Sequence, residues 1–328
     1  MILMIGLDAY PYQWRSLLEE RDYRVAELHS PHAMSAPAWT SIMTGLNAET
    51  HGVRGMYAKD WTAEAAACRP RYLWDHLTAA DLESVVVNLP FSYPPALVRR
   101  LLVCGYPALP EHFTFPRHRQ TDWEFGELDL YNRRRGLTHQ EVLDLDEKAI
   151  LEAHREARWA LAHRFLLEIG RGKPDFAMFC LTDLDRLSHY ASGAMRAEEV
   201  RNAVLTDILE LVDRLEVQIA PEWLLLVSDH GVDLRKPTRE DGWHVAHGPD
   251  LKESKRGVFA WRRADGAHLD RQNVAQKLRL EDITPTVLSL LDAAPISRVE
   301  GRPALFPVAP LDEQAQIQEA LRGMGYVE

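Results

Sequence analysis

Cysteine is nearly absent: Cys68, Cys104 and Cys180 are the only three in 328 residues. An odd count without short spacings argues against a disulfide framework and against a cysteine zinc site. Cys180 sits inside the apolar run "DFAMFCL" and reads as a buried thiol. Long hydrophobic runs are missing as well. None approaches the ~20 apolar residues of a membrane span, so no membrane partner is expected. Positive charge is in deficit, with a formal net charge of −11. That argues against a nucleic-acid polymer, whose phosphates call for a basic face. It leaves room for a small phosphorylated or phosphonate substrate, because bound metal ions can supply local positive charge. The opening "MILMIGLDAY" lacks a basic leader and carries an early acid. It reads as a first strand rather than a signal peptide, and the expected location is cytoplasmic. No repeat or low-complexity tract is present.

What the chain does have is 46% hydrophobic and 27% charged residues, the balance of a soluble globular protein. Short apolar runs alternate with longer amphipathic ones. Strands are expected at Met1 to Gly6, Ser84 to Asn88, Phe176 to Leu181, Trp223 to Val227 and Val258 to Trp261. Several are apolar throughout, as strands buried on both faces of a parallel sheet should be. Helical spacing runs over about 145–170, closing on glycine, and over about 197–216. In "LEDITPTVLSLLDA", Asp282 or Thr284 can cap a helix that has Pro285 in its first turn. The alternation indicates an α/β protein with three layers, α/β/α, around a mostly parallel sheet. One domain is expected over 1–328. Residues 109–142 fit neither period and are rich in arginine and aromatics, so they are expected to be a cap insertion. Residues 306–328 are expected to form a C-terminal tail.

Open α/β sheets bind ligands at the carboxyl ends of their strands. The first strand is followed by Asp8, and "DFAMFCL" by Asp183, Asp185 and His189. The strand "WLLLV" is followed by Asp229 and His230, and the later loop "GWHVAHGPD" brings His244 and His247. A single acid after a strand is ordinarily a turn former or cap. Three strand ends and a loop delivering acids and imidazoles together are not explained that way. Mixed aspartate and histidine suits zinc, with manganese or iron as alternatives. There are enough ligands for two ions, the arrangement that stabilises both oxygens of an in-line displacement. The stretch "HSPHAMSAPAWTSIMTG" adds three candidate nucleophiles: Ser35, Thr40 and Ser41.

These residues resemble the alkaline phosphatase superfamily, in particular its type I phosphodiesterase/nucleotide pyrophosphatase family. The resemblance rests on "IGLDAY", "SAPAWTSIMTGLNAETHGV", "VVVNLPFSYPP", "TDLDRLSHY", "LLLVSDHGV", "AHGPD" and "EDITPTVLSLLDAAP…EGRPAL", in the family's order, over residues 1 to about 305. It implies an alkaline-phosphatase-like fold and two divalent metal ions. One site would take Asp8, Asp229, His230 and the Ser35 oxygen; the other would take Asp185, His189 and His247, with His244 competing for the last place. Asp183 would lie behind the ligands. Ser35 stands two residues before a proline and nine before a Thr-Gly pair, as the family's nucleophile does. The implied activity is hydrolysis of a phosphodiester or pyrophosphate through a phosphoseryl intermediate on Ser35.

The chain departs from the family in three ways: the spacing from Asp8 to Ser35 is short, the 109–142 insertion has no counterpart, and the third bears on the substrate. Nucleotide pyrophosphatases carry an asparagine soon after the "HG" pair, and Met56 occupies that position here, with Arg54, Tyr57 and Lys59 as candidate substrate contacts. Phosphonate hydrolase, phosphomonoesterase or phosphomutase chemistry on the same fold is therefore the alternative. A sulfatase is disfavoured, because Trp39 stands where the formylglycine motif requires arginine. A binding protein that merely retains the fold is the non-enzymatic alternative. His51 is expected to be structural, and His154 and His163 to be surface or packing residues.

Overall fold

The run Ile2–Leu7 carries no polar side chain and forms β1, buried along its whole length. In the computed structural model, which describes residues 1–55, 70–125, 147–190, 202, 204–233, 250–266 and 277–305, β1 is the middle strand of a nine-stranded sheet. The other strands are β2 (Arg24–His29), β3 (Ser84–Leu89), β4 (Leu101–Cys104), β5 (Thr114–Phe115), β6 (Phe176–Leu181), β7 (Trp223–Val227), β8 (Arg256–Arg263) and β9 (Lys277–Arg279). Their spatial order is β5-β4-β3-β6-β1-β7-β8-β2-β9. All run parallel except β8, antiparallel to β7 and β2, and β5, antiparallel to β4.

Six helices matter for the site: α1 (Ser35–Thr44), α2 (Leu73–Ala79), α3 (Glu147–Gly170), α4 (Asp183–Tyr190), α5 (Leu209–Ile219) and α6 (Ile283–Leu290). They divide between the two faces of the sheet, and β6 shows how. Phe179 and Cys180 are adjacent on the strand and so point to opposite faces. Phe179 stacks on Phe165 of α3, ring centroids 5.3 Å apart, and α5 packs beside α3. On the Cys180 face lies Trp39 of α1, with α6 against both α1 and α2. The result is three layers around a mostly parallel sheet, as expected.

Five strands fall where the apolar runs place them, although β8 extends two residues at each end and runs antiparallel. The helix expected over 145–170 is α3. Of the one expected over 197–216, the described part includes a π-helical turn, Val204–Ile208, and continues as α5 to Ile219. Asp282 is the N-cap residue of α6, with Pro285 in its first turn. The described part of 109–142 adds β5 to the sheet edge and a 3-10 helix, Arg117–Asp122. Residues 126–142 and the tail 306–328 lie outside the described residues. Among the described residues no helix is long and apolar enough to cross a membrane.

Gly6 sets the distance between β1 and α1. A Cβ there would stand 2.9 Å from Trp39 Cη2 and 2.8 Å from Cys180 Sγ. Gly6→Ala forces overpacking in the central strand and is expected to lower unfolding free energy by about 1–3 kcal/mol. Gly170→Ala, with nothing within 4 Å of the added methyl, leaves stability unchanged or slightly raised. Urea unfolding midpoints of the two variants check the contrast.

Candidate active site

The sheet order puts β6, β1 and β7 side by side and parallel, so their carboxyl ends meet on one edge. Asp8 leaves β1, Asp185 lies in the first turn of α4 after β6, and Asp229 and His230 follow β7. Two backbone devices hold the turn tight. Ala9 has φ of 66°, a left-handed conformation that costs an alanine roughly 1–2 kcal/mol. Its N–H donates to Asp229 Oδ1 at 3.2 Å, tying the end of β1 to the end of β7. Gly231 runs so close to its neighbours that a Cβ would meet the carbonyl oxygens of Arg256 and Glu253 at 2.7 Å.

Ser35 is the first residue of α1, after Met34 in extended conformation. Its Oγ lies 3.4 Å from Asp8 Oδ1 and 3.3 Å from His230 Nε2. The two competing hydroxyls are engaged elsewhere. Thr40 Oγ1 donates to the Ala36 carbonyl at 2.7 Å, and Ser41 Oγ lies 2.9 Å from His51 Nε2. His51 Nδ1 accepts from the Val53 N–H, and burial pushes its pKa down to about 4, so Nε2 carries the proton and donates to Ser41. Of the three hydroxyls, Ser35 is the one beside the acids.

Ligand atoms of Asp8, Asp185 and His230 all lie within 4.8 Å of one another, and all three residues are buried. His230 Nδ1 is 3.0 Å from the Gly231 carbonyl. A carbonyl can only accept, so Nδ1 is the donor and a neutral ring presents its lone pair at Nε2. That lone pair meets Asp229 Oδ2 at 3.4 Å and Asp8 Oδ1 at 3.8 Å. Asp229 Oδ2 is buried without a hydrogen-bond partner among the described residues. Burial, then the charges of Asp229 and Asp185, raise the Asp8 pKa well above its ordinary value, with Arg186 opposing them. Buried acceptors converging without enough donors form a costly arrangement. A divalent cation relieves it, and carboxylate oxygens with an imidazole nitrogen fit zinc, manganese or iron.

The remaining expected residues divide sharply. Asp183 is fully buried against Arg158 Nη1 at 2.8 Å and His154 Nδ1 at 3.6 Å. Burial alone would raise its pKa, but Arg158 and His154 hold it below the usual value. His154 is thus a buried partner of the β6–α4 junction, while His163 is exposed. The i, i+4 spacing puts His154 and Arg158 on one helix face, but it does not name Asp183 as their partner. Arg54 pairs with Glu49 at 2.5 Å. Trp39, at the sulfatase arginine position, is buried. The backbone of α4 carries position 189 one turn after Asp185. The His189 side chain and residues His244, His247, Met56, Tyr57 and Lys59 lie outside the described residues.

A parallel-centred α/β/α sandwich with a hydroxyl beside a buried acid and histidine cluster, at the carboxyl edge of its central strands, defines an alkaline-phosphatase-like hydrolase fold. The family model for type I phosphodiesterase / nucleotide pyrophosphatase matches residues 16–283, so the chain belongs to that family and is an enzyme acting on phosphoester bonds. Among solved structures it is similar to the phosphonate monoester hydrolase SpPMH from Silicibacter pomeroyi, with a TM-score of 0.54, 13% identity, 95% of this chain and 77% of that one covered. It is similar to murine ectonucleotide pyrophosphatase / phosphodiesterase 5, with a TM-score of 0.52, 10% identity and coverage of 96% and 99%. Wild-type alkaline phosphatase PafA gives a TM-score of 0.51 at 11% identity, covering 92% and 97%. No curated protein matches the chain.

Removal and return of metal test the cluster. Because folding raises the Asp8 pKa above its unfolded value near 3.8, the folded state holds that proton more tightly. In chelator, its contribution therefore favours folding most below about pH 4 and fades as pH rises through the raised pKa. Asp8→Asn flattens this slope in urea unfolding. Zinc or manganese at a hundred times its dissociation constant stabilises the wild type by about 2.7 kcal/mol, and Asp8→Asn loses most of that gain.

Proposed function

We propose that the chain is a metal-dependent phosphodiesterase in which Ser35 is the nucleophile. The observation that carries this reading is the Ser35 hydroxyl, buried at the head of α1 within 3.4 Å of Asp8 Oδ1 and 3.3 Å of His230 Nε2. Asp8, Asp229, His230 and Ser35 Oγ would hold one divalent ion, and Asp185, His189 and His247 (or His244) a second. Bound there, zinc, or manganese or iron, would supply the positive charge that activates the hydroxyl and neutralises phosphoryl oxygens.

The chain's own groups do the rest. Pro37 has no N–H, and the first intrahelical bond runs from the Ala38 N–H to the Met34 carbonyl. The N–H groups of Ser35 and Ala36 therefore precede the helix ladder, at the end where the helix dipole favours an anion. A phosphoryl group attacked by Ser35 Oγ meets this positive end. The Oγ–P bond forms as the bond to the leaving alcohol breaks, and water then cleaves the phosphoserine. Burial of Ser35, Asp8, Asp185, Asp229 and His230 keeps bulk solvent from these charges.

The diester preference rests on the family match over 16–283. A second reading, phosphonate monoester hydrolysis, is favoured by the likeness to the Silicibacter enzyme and by Met56 at the asparagine position. The same residues serve both, since they handle the phosphorus and its oxygens rather than the group beyond it.

Bis-p-nitrophenyl phosphate, p-nitrophenyl phosphate, p-nitrophenyl sulfate and a phosphonate ester, each with added zinc or manganese, separate the readings. The diester is expected to be turned over fastest; a strong preference for the monoester or the phosphonate reassigns the substrate. Ser35→Ala is expected to lower turnover by more than about 10³-fold with metal content nearly intact. Full activity in that variant moves the nucleophile elsewhere.

A further inference from the structure

Beside the acid cluster, on the β3 and β4 side, stands the cation whose charge opposes the rise of the Asp8 pKa. Arg186 directly follows Asp185 in α4, and its N–H bonds the Thr182 carbonyl in the first turn of that helix. Its guanidinium lies over the ring of Tyr106, 4.7 Å from the centroid. Tyr106 follows the end of β4, so the side chain reaches from the end of β6 past the end of β3. The shelf beneath it is braced. The Tyr106 carbonyl accepts from the Phe91 N–H at 2.7 Å, and the Phe91 and Tyr106 rings meet edge to face at 6.2 Å. Asn88 Nδ2 donates to the Cys180 carbonyl at 2.8 Å, locking the end of β3 to that of β6. Arg186 itself is half-buried, and its charge is felt at Asp8.

We infer that Arg186, seated on Tyr106 at the rim of the acid cluster, binds a non-bridging oxygen of the substrate's phosphoester group. The inference rests on the phosphodiesterase reading and names the contact that reading lacks. The Met56 side chain carries no hydrogen-bond donor to replace the family asparagine. A guanidinium offers a planar fork of donors matched to a phosphoryl group, and an aromatic face holds it flat at little entropic cost. In a net acidic chain, a fixed cation at the mouth of an acidic site also offsets repulsion of an anionic substrate. Arg186 is thus a substrate-binding residue, and Tyr106 is its positioning residue.

The test uses the zinc-loaded full-length protein, with inorganic phosphate binding followed by calorimetry and bis-p-nitrophenyl phosphate hydrolysis by kinetics. Arg186→Ala is expected to weaken phosphate binding by about tenfold or more and to lower kcat/KM by about 10²–10³-fold, with zinc content and Tm at wild-type values. Arg186→Lys, which keeps charge without the fork, falls between. Tyr106→Ala raises KM with zinc content unchanged, and Tyr106→Phe, which keeps the ring, restores it. Wild-type phosphate affinity and kcat/KM in Arg186→Ala overturn the inference, and so does loss of zinc from that variant, which would make the arginine a structural support. A wild type that binds phosphate but hydrolyses none of the four esters removes the phosphodiesterase reading alone; the phosphate affinity of Arg186→Ala still decides the arginine's role.

Discussion

The mutual repulsion of buried acceptors at the ends of β1, β6 and β7 is the constraint around which this molecule is organised. Asp8, Asp185 and Asp229 are buried beside the Nε2 of His230. Without a cation, burial and the charges of Asp229 and Asp185 push the Asp8 pKa well above its ordinary value. Burial alone would favour leucine or valine at each position. The fold keeps the acids where three central strands converge, and the convergence makes sense as a cation site.

Holding that cluster together requires concessions in the backbone. Alanines adopt left-handed φ at positions 9 and 33, next to Asp8 and two residues before Ser35. Gly6 and Gly231 give up side chains so that Trp39 and the Arg256 and Glu253 carbonyls can approach. Strain of this kind persists when the surroundings over-determine it. Here they do: β1 is buried on both faces, α6 bonds to α1 through Thr284 Oγ1 and the Ile42 carbonyl at 2.7 Å, and Asp183 anchors the start of α4 to α3. Rigid elements therefore carry Ser35 and the acids, which suits a site whose function depends on sub-ångström placement.

Much of this was legible in the residues because the central strands are apolar throughout. β1, β6 and β7 announce themselves as apolar runs, so the acids and histidines just beyond them, Asp8, Asp183, Asp185, Asp229 and His230, could be read as strand-end groups before any geometry was known. The preference for Asp185 over Asp183 came only through the family resemblance. The strands missed are of another kind. β2, "RVAELH", mixes charge with apolar residues because only part of it is buried, and β4, β5 and β9 are four residues or fewer. The direction of β8 left no trace, since burial on both faces reads the same in either sense. Pairings across distant segments were equally silent. His154 and Asp183 are 29 positions apart, and nothing local to either names the other. Ser35 is intermediate: its spacing singled it out through the family resemblance, while the engagement of Thr40 and Ser41 elsewhere is visible only in three dimensions.

The division of labour along the sheet edge follows from the same geometry. β6, β1 and β7 form the middle of the sheet, where both faces are covered and side chains are held most firmly, and the acids, His230 and the adjoining Ser35 lie there. Moving outward to β3 and β4, the strand ends carry proline-rich loops with aromatic rings, "LPFSYPP" and "GYPALP", and these side chains are only partly buried. A phosphorus atom needs the fixed centre, because attack and departure are directional. The groups attached to phosphorus need only a surface, and surfaces tolerate substitution. Solved structures at 10–13% identity share this fold with the chain. The acids, His230 and Ser35 thus occupy the firmly held middle of the edge, and the partly buried rings of Phe91, Tyr93 and Tyr106 form its looser flank.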